Sequence, residues 1–306
     1  MTRPPSKART GGGLLAALLI CSPACGGETV VLGQAEPTPA RFGPATVVAE
    51  LFEVDSGNPT LTDDQLEIYF SSKRTPPNSD VWCATRSSPT ARFNAPVPVT
   101  AVNSDMYFET SPAISPDGLT LWFGSNRPAD MIPTGIIAVW VSTRSSRSAE
   151  FGAPRLVTEL SSGIGDVPRP LGEHGSVMPL SSNRTSPDWY STLLTSFDAR
   201  SNTFSAAVGI PELNFSDRST TDGFLSNDGL SLFFASGGKD QPMDLYVARR
   251  KSTSAAFTVI QAIDTLNTLN DERDPFMTRD GRHFDFSSNR DYAPELAIYE
   301  ASVLSP

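Results

Sequence analysis

Ala113-Ile-Ser-Pro-Asp-Gly-Leu-Thr-Leu-Trp-Phe-Gly-Ser-Asn-Arg127 reads as two short strands joined by a tight turn. Asp117-Gly118 supplies the positive φ angles of a hairpin, and Leu119, Leu121 and Phe123 alternate along the strand that follows. The pattern returns at Asp228-Gly-Leu-Ser-Leu-Phe-Phe-Ala-Ser236 and at Asp280-Gly-Arg-His-Phe-Asp-Phe-Ser-Ser-Asn-Arg290. Two weaker copies are Asp64-Gln-Leu-Glu-Ile-Tyr-Phe-Ser-Ser-Lys-Arg74 and His174-Gly-Ser-Val-Met-Pro-Leu-Ser-Ser-Asn-Arg184. The glycine-equivalent positions 65, 118, 175, 229 and 281 are 53, 57, 54 and 52 residues apart. A period of roughly 40–55 residues carrying several short strands indicates propeller blades.

Each copy continues in the same way. A third strand is expected at Asp80–Arg86, Ala138–Arg144, Asp188–Tyr190, Asp244–Arg249 and Glu295–Tyr299. A fourth element has the form Phe-x-x-Pro, as in Phe93-Asn-Ala-Pro96 and Phe151-Gly-Ala-Pro154, with looser versions from Phe204 and Phe257. The last copy has no fourth strand after it, whereas Arg41-Phe-Gly-Pro-Ala-Thr-Val-Val48 ahead of the first copy has that pattern. The reading is therefore an all-β, five-bladed β-propeller of four-stranded antiparallel blades, in which the N-terminal strand closes the last blade. Such closure removes the unpaired edges that invite aggregation.

The sequence outside the repeats sets the compartment. Arg3, Lys7 and Arg9 precede the apolar run Leu14–Ile20, too short to span a bilayer, and Cys21-Ser-Pro-Ala-Cys25 follows. This resembles a bacterial lipoprotein signal with Cys25 as the lipidated residue, because Ala24 precedes it; Ser22 departs from the leucine that such signals prefer. The alternative is ordinary cleavage nearby, releasing a soluble protein. Residues 1–24 are thus read as the signal, 25–40 as a flexible tether and 41–306 as one propeller domain. Three of the 24 basic residues lie in the signal, which leaves 21 against 34 acidic residues, a net −13. So acidic a surface argues against nucleic acid and against adsorption to anionic lipid. Beyond the signal region the remaining cysteine is Cys83, inside an apolar run, and reads as a small buried hydrophobe.

Ser-Pro-Asp-Gly-x-x-Leu-x-Phe-x-Ser-x-Arg followed by Asp-Leu-Tyr-x-Ala resembles the WD40-like (PD40) propeller repeat of the TolB type, over residues 41–304. The resemblance implies a non-catalytic binding or scaffold protein of the cell envelope. Its expected partner is another envelope protein or a polysaccharide. The expected location is the outer membrane, facing periplasm or cell surface and reached through the lipid alone, with the protein monomeric and without cofactor. Copy three departs most, with Pro179 in its second strand and Gly-Glu-His-Gly at its turn, and copy four replaces Ser-Asn-Arg with Ser236-Gly-Gly-Lys239.

The repeated Arg74, Arg127, Arg184 and Arg290 read as structural ties of each loop to an acidic partner or to backbone carbonyls within its blade. Candidate ligand residues are those expected at the mouth of the central channel: Asn58, Ser111, Asp166, Asp222 and Asp274. Converging carboxylates there could hold a cation, a basic peptide or sugar hydroxyls. The competing reading is a glycan-acting five-bladed hydrolase or a lectin, since glycosidases set carboxylates around a central pocket. Nucleophilic catalysis has little to work with: the histidines are His174 and His283, and no Gly-x-Ser-x-Gly elbow occurs. Zinc clusters, Walker loops, dinucleotide fingerprints and EF-hand loops are also missing from the sequence. If Cys25 carries the anchor, Cys25→Ser moves the protein from the membrane to the soluble fraction on cell fractionation.

Overall fold

The computed structural model describes residues 41–305, which fold as five antiparallel sheets arranged as a five-bladed propeller. The signal, the tether and Cys25 lie outside the described residues. Blade 1 comprises β3 (Ser56–Leu61), β4 (Glu67–Ser72), β5 (Asp80–Thr85) and β6 (Val97–Pro98), after β1 (Arg41–Phe42) and β2 (Thr46–Val47). Blade 2 comprises β7 (Glu109–Ile114), β8 (Thr120–Ser125), β9 (Ala138–Thr143) and β10 (Arg155–Leu156). Blade 3 holds β11 (Asp166–Pro168), β12 (Val177–Ser182) and β13 (Ser191–Asp198), the last flanked by β14 (Thr203–Phe204) and β15 (Val208–Gly209). Blade 4 comprises β16 (Ser219–Leu225), β17 (Ser231–Gly237), β18 (Asp244–Arg249) and β19 (Val259–Ala262). Blade 5 comprises β20 (Glu272–Met277), β21 (His283–Ser288) and β22 (Ala297–Ser305), with β1 and β2 pairing on β22 as its outer strand.

The closure expected from the sequence is therefore present. Phe42 faces Val303 and Val47 faces Tyr299. The Phe42 ring packs on Phe284 at 4.6 Å and on Phe233 of blade 4 at 6.4 Å, so the closing strand also joins the packing between blades. The third strand of blade 3 differs from expectation: it begins at Ser191, not within Asp188–Tyr190.

The hairpin turns also need one correction. All five glycine-equivalent positions have positive φ: Gln65, Gly118, Gly175, Gly229 and Gly281. The residue before does not, except His174. The turn aspartate serves through its side chain instead: Asp117 Oδ1 accepts from Ser115 Oγ at 2.6 Å and from the Leu119 amide at 3.0 Å, and Asp228 and Asp280 repeat the arrangement. Blades pack face to face through apolar residues of their second and third strands, including Tyr69, Trp122, Phe233 and Phe286, all buried. Cys83 is buried in the core with a thiol pushed up to about 12, first by burial and then by the Glu67 charge, which fits an inert packing residue.

Two arginine series hold the blades. Within blades, Arg127 Nη2 meets Glu109 Oε1 at 2.7 Å, its Nε donates to Ser125 Oγ at 3.1 Å, and the Val102 carbonyl accepts from it. Arg184 does the same with Asp166, Ser182 and Leu160, and Arg290 with Glu272, Ser288 and Leu266. In these three blades the acid comes from the first strand: Glu109, Asp166 and Glu272. Between blades, Arg144 Nη2 reaches Glu67 of blade 1 at 2.6 Å and Arg250 reaches Glu173 of blade 3 at 3.5 Å. Arg86, Arg144 and Arg250 also lie over Phe93, Phe151 and Phe257, which explains the aromatic of the Phe-x-x-Pro element. Phe42→Ala, which empties a buried site on the closing strand, should cost about 3–5 kcal/mol of stability in urea unfolding.

Candidate functional site

Five first strands converge on the axis, and their register decides what lines it. Ser56, Glu109, Asp166, Thr220 and Glu272 occupy one position, since they face Ser72, Ser125, Ser182, Ser236 and Ser288 of the adjacent second strands. Two residues further on come Asn58, Ser111, Pro168, Asp222 and Asp274. In blades 1, 2, 4 and 5 the ladder slips here, and Asn58, Ser111, Asp222 and Asp274 take φ between 49 and 58°. A β-bulge of this kind turns a short polar side chain out of the sheet at the barrel-like centre.

Asn58, Asp222 and Asp274 do meet. Asn58 donates from its side-chain nitrogen to Asp274 Oδ1, and its amide reaches Asp274 Oδ2 and Ser287 Oγ at 3.2 Å each. Thr110 Oγ1 donates to Asn58 Oδ1 at 3.3 Å, bringing blade 2 into the chain of contacts. Ser111 holds the equivalent bulge on blade 2, where its hydroxyl lies 3.4 Å from that of Thr110. Asp166 is not part of the group. It sits two positions earlier, 0% exposed, where Arg184, Ser182 and Ser162 hold it inside blade 3. Its nearness to a strand start suggested the channel, but the register gives the channel position on this blade to Pro168.

Blade 3 is also where the decisive side chain comes from. Its first strand pairs without a bulge, and Arg169 projects into the axis. Arg169 Nη1 meets Asp274 Oδ1 at 3.1 Å, Nη2 pairs with Asp222, and Nε donates to Ser181 Oγ at 3.1 Å. The three charged residues are 7%, 5% and 8% exposed for Arg169, Asp222 and Asp274. Burial pulls the guanidinium down from its usual value, and the Asp274 charge and hydrogen bond pull it back up. Pro59, Pro112, Pro168, Pro170 and Pro275 fill the remaining space, leaving a void of about 10 Å³. Proline suits these inner edges, whose amides have no strand to pair with.

One side of this plug opens into a funnel of about 530 Å³ on the face carrying the hairpins between first and second strands. Its collar takes one apolar residue from the same position of every blade: Leu61, Ile114, Leu171, Leu225 and Met277. The hairpins make a polar rim that includes Asp63 paired with Arg279, and His174, whose amide donates to Asn227 Oδ1 at 3.1 Å. Sequence reasoning missed Arg169 and the funnel. The signal for Arg169 was Pro168-Arg169-Pro170, which stands where the other copies read Asn-Pro, Ser-Pro, Asp-Gly and Asp-Pro. Among the described residues there is no cluster of three or more His, Cys, Asp or Glu arranged to hold a metal ion, and no helix is long and apolar enough to cross a membrane.

No protein-family model matches the chain, and no curated protein sequence does. Solved structures do. An endo-arabinase from Bacteroides thetaiotaomicron is similar at a TM-score of 0.58 and 11% identity, over 87% of this chain and 98% of that one. A thermostable family-43 glycoside hydrolase is similar at 0.52 and 8%, over 83% and 94%. TolB from Acinetobacter baumannii is similar at 0.49 and 15% over 82% of this chain, which spans 54% of that protein. At such identities the two higher-scoring likenesses show the propeller fold and nothing finer.

Arg169→Met strips the compensating charge from two buried carboxylates. It should cost about 3–5 kcal/mol in denaturant unfolding, most of it regained when Asp222→Asn and Asp274→Asn are added.

Proposed function

We propose that this protein is a non-catalytic binding propeller of the cell envelope, held by a lipid on Cys25, that receives a polypeptide partner in the hairpin-face funnel. One observation carries the reading: the carboxylates that converge on the axis are already held by Arg169. A glycosidase needs two carboxyl groups flanking the scissile bond, one of them keeping a proton to give to the leaving group. The Arg169 guanidinium engages both Asp222 and Asp274 and occupies the space a sugar ring would need. The funnel, by contrast, is open and deep, with an apolar collar and a polar rim, which suits side chains of a partner better than the hydroxyls of a polysaccharide. The acidic balance of the chain fits a partner drawn from proteins rather than nucleic acid.

The alternative, a glycan-acting hydrolase or lectin using the channel carboxylates, makes a different prediction. Full chain carrying Cys25→Ser, incubated with envelope extract, should retain a specific protein that is lost with Asn227→Trp at the rim. The same protein should release no reducing sugar from a panel of plant and bacterial polysaccharides. Sugar release abolished by Asp222→Asn or Asp274→Asn would establish the hydrolase instead.

A further inference from the structure

The position in the second strand that packs on the neighbouring blade is apolar in four blades, together with the residue opposite it on the third strand. The pairs are Tyr69 with Cys83, Trp122 with Val141, Pro179 with Leu194, and Phe233 with Val247. In blade 5 the same pair is Asp285 with Glu300. Two carboxylates thus stand directly opposite each other on adjacent strands, an unfavourable arrangement when both are charged. Asp285 is 5% exposed. The pair stands at the junction between the last and first blades, the place where the ring is closed.

From blade 1, Arg86 brings one guanidinium within range of both carboxylates, while its Nε donates to the Gln65 carbonyl at 2.7 Å. Arg86 belongs to the same series as Arg144 and Arg250. At the junction of blades 1 and 2 the acid answering it is Glu67, the first residue of its second strand; blade 5 has His283 at that position. On the outer flanking strands the residues directly opposite are uncharged: Phe276 faces Asp285 on β20, and Thr46 faces Glu300 on β2. His283, next on the same face of β21, interacts with Asp280. Around the pair, therefore, one guanidinium answers two acids, while the other ion pairs at this junction, Arg279 with Asp63 and Arg92 with Glu50, are each balanced within themselves.

We propose that the junction of blades 5 and 1 is a proton-dependent latch, in which Asp285 carries a proton while the ring is closed and the junction loosens as that proton is withdrawn. With Asp285 neutral, Glu300 and Arg86 balance, and the Asp285 carboxyl can donate as well as accept. With Asp285 ionised, a second negative charge is buried against Glu300 without a cation of its own. Burial first, and then the Glu300 charge, push the Asp285 carboxyl up to about 8, with Arg86 pulling the other way. The sign follows: the closed junction binds this proton more tightly than the open one, so closure is favoured at acid pH. The advantage is lost progressively as pH rises from the ordinary carboxylate range toward about 8, by at most about tenfold per pH unit, and changes no further above it.

Hydrogen exchange across this pH range, corrected for intrinsic rates, tests the latch on the full chain. Amides of β1, β2, β3 and β22 should gain several-fold in exchange per unit rise, while the junction of blades 2 and 3 stays level. Asp285→Asn should remove the dependence. An equal slope in Asp285→Asn, or the same slope at every junction, would overturn the proposal. Infrared spectroscopy gives a readout independent of that variant's folding. The wild type should show a protonated carboxylic acid band at roughly neutral pH, lost at alkaline pH, and Glu300→Gln should move the loss to lower pH. Absence of the band below the transition would equally overturn it.

Discussion

Five inner strands must share one axis, and that crowding governs the rest of the molecule. Each brings a backbone edge with no strand to pair with, and four of the five bring a bulged polar residue, into a space with almost no free volume. The chain removes amides with proline at the narrowest layer and ties the bulges of different blades together through Asn58, Asp222 and Asp274. What remains is excess negative charge, and a single guanidinium from the blade lacking a bulge answers it. Arg169 spans from blade 3 to blade 5, so the centre couples blades that do not touch as neighbours. A buried network of this kind adds little net stability over an apolar core, yet is costly to break by removing one partner.

The same chemistry recurs with two ranges of action. Arg127, Arg184 and Arg290 act within their blades, joining a buried acid of the first strand to the loop after the second. Arg86, Arg144 and Arg250 act across junctions, stacked over an aromatic and paired to the blade before. One series makes a blade, and the other makes a ring out of blades.

Fold was legible because it is written five times. Alternation, turn residues and the displaced fourth strand at Arg41–Val48 are local patterns, and local patterns survive in a sequence read alone. Asp285 shows where such reading fails: its oddity appears only against Tyr69, Trp122 and Phe233 once register aligns them. The site failed for a related reason. Asp166 and Asp222 look alike as acids near strand starts, yet one is a buried anchor of its blade and the other lines the axis, a difference of two residues of register. Arg169 sat in the copy that matched worst, where repetition gives no guide, although that mismatch was itself the pointer. Contacts such as Arg144 with Glu67 join residues far apart in sequence and follow only from the ring.

The pairing of β1 with β22 has a kinetic side. Arg41 and Ser305 lie at opposite ends of the described chain, and every blade between them can form from residues close in sequence. Blade 5 cannot. A chain that emerges from its N-terminus makes its closing strand before any blade and holds it without its partner until the last strand arrives. Assembly of this ring therefore waits on its slowest, longest-range contact, and for that interval the first residues of the domain present an open strand edge.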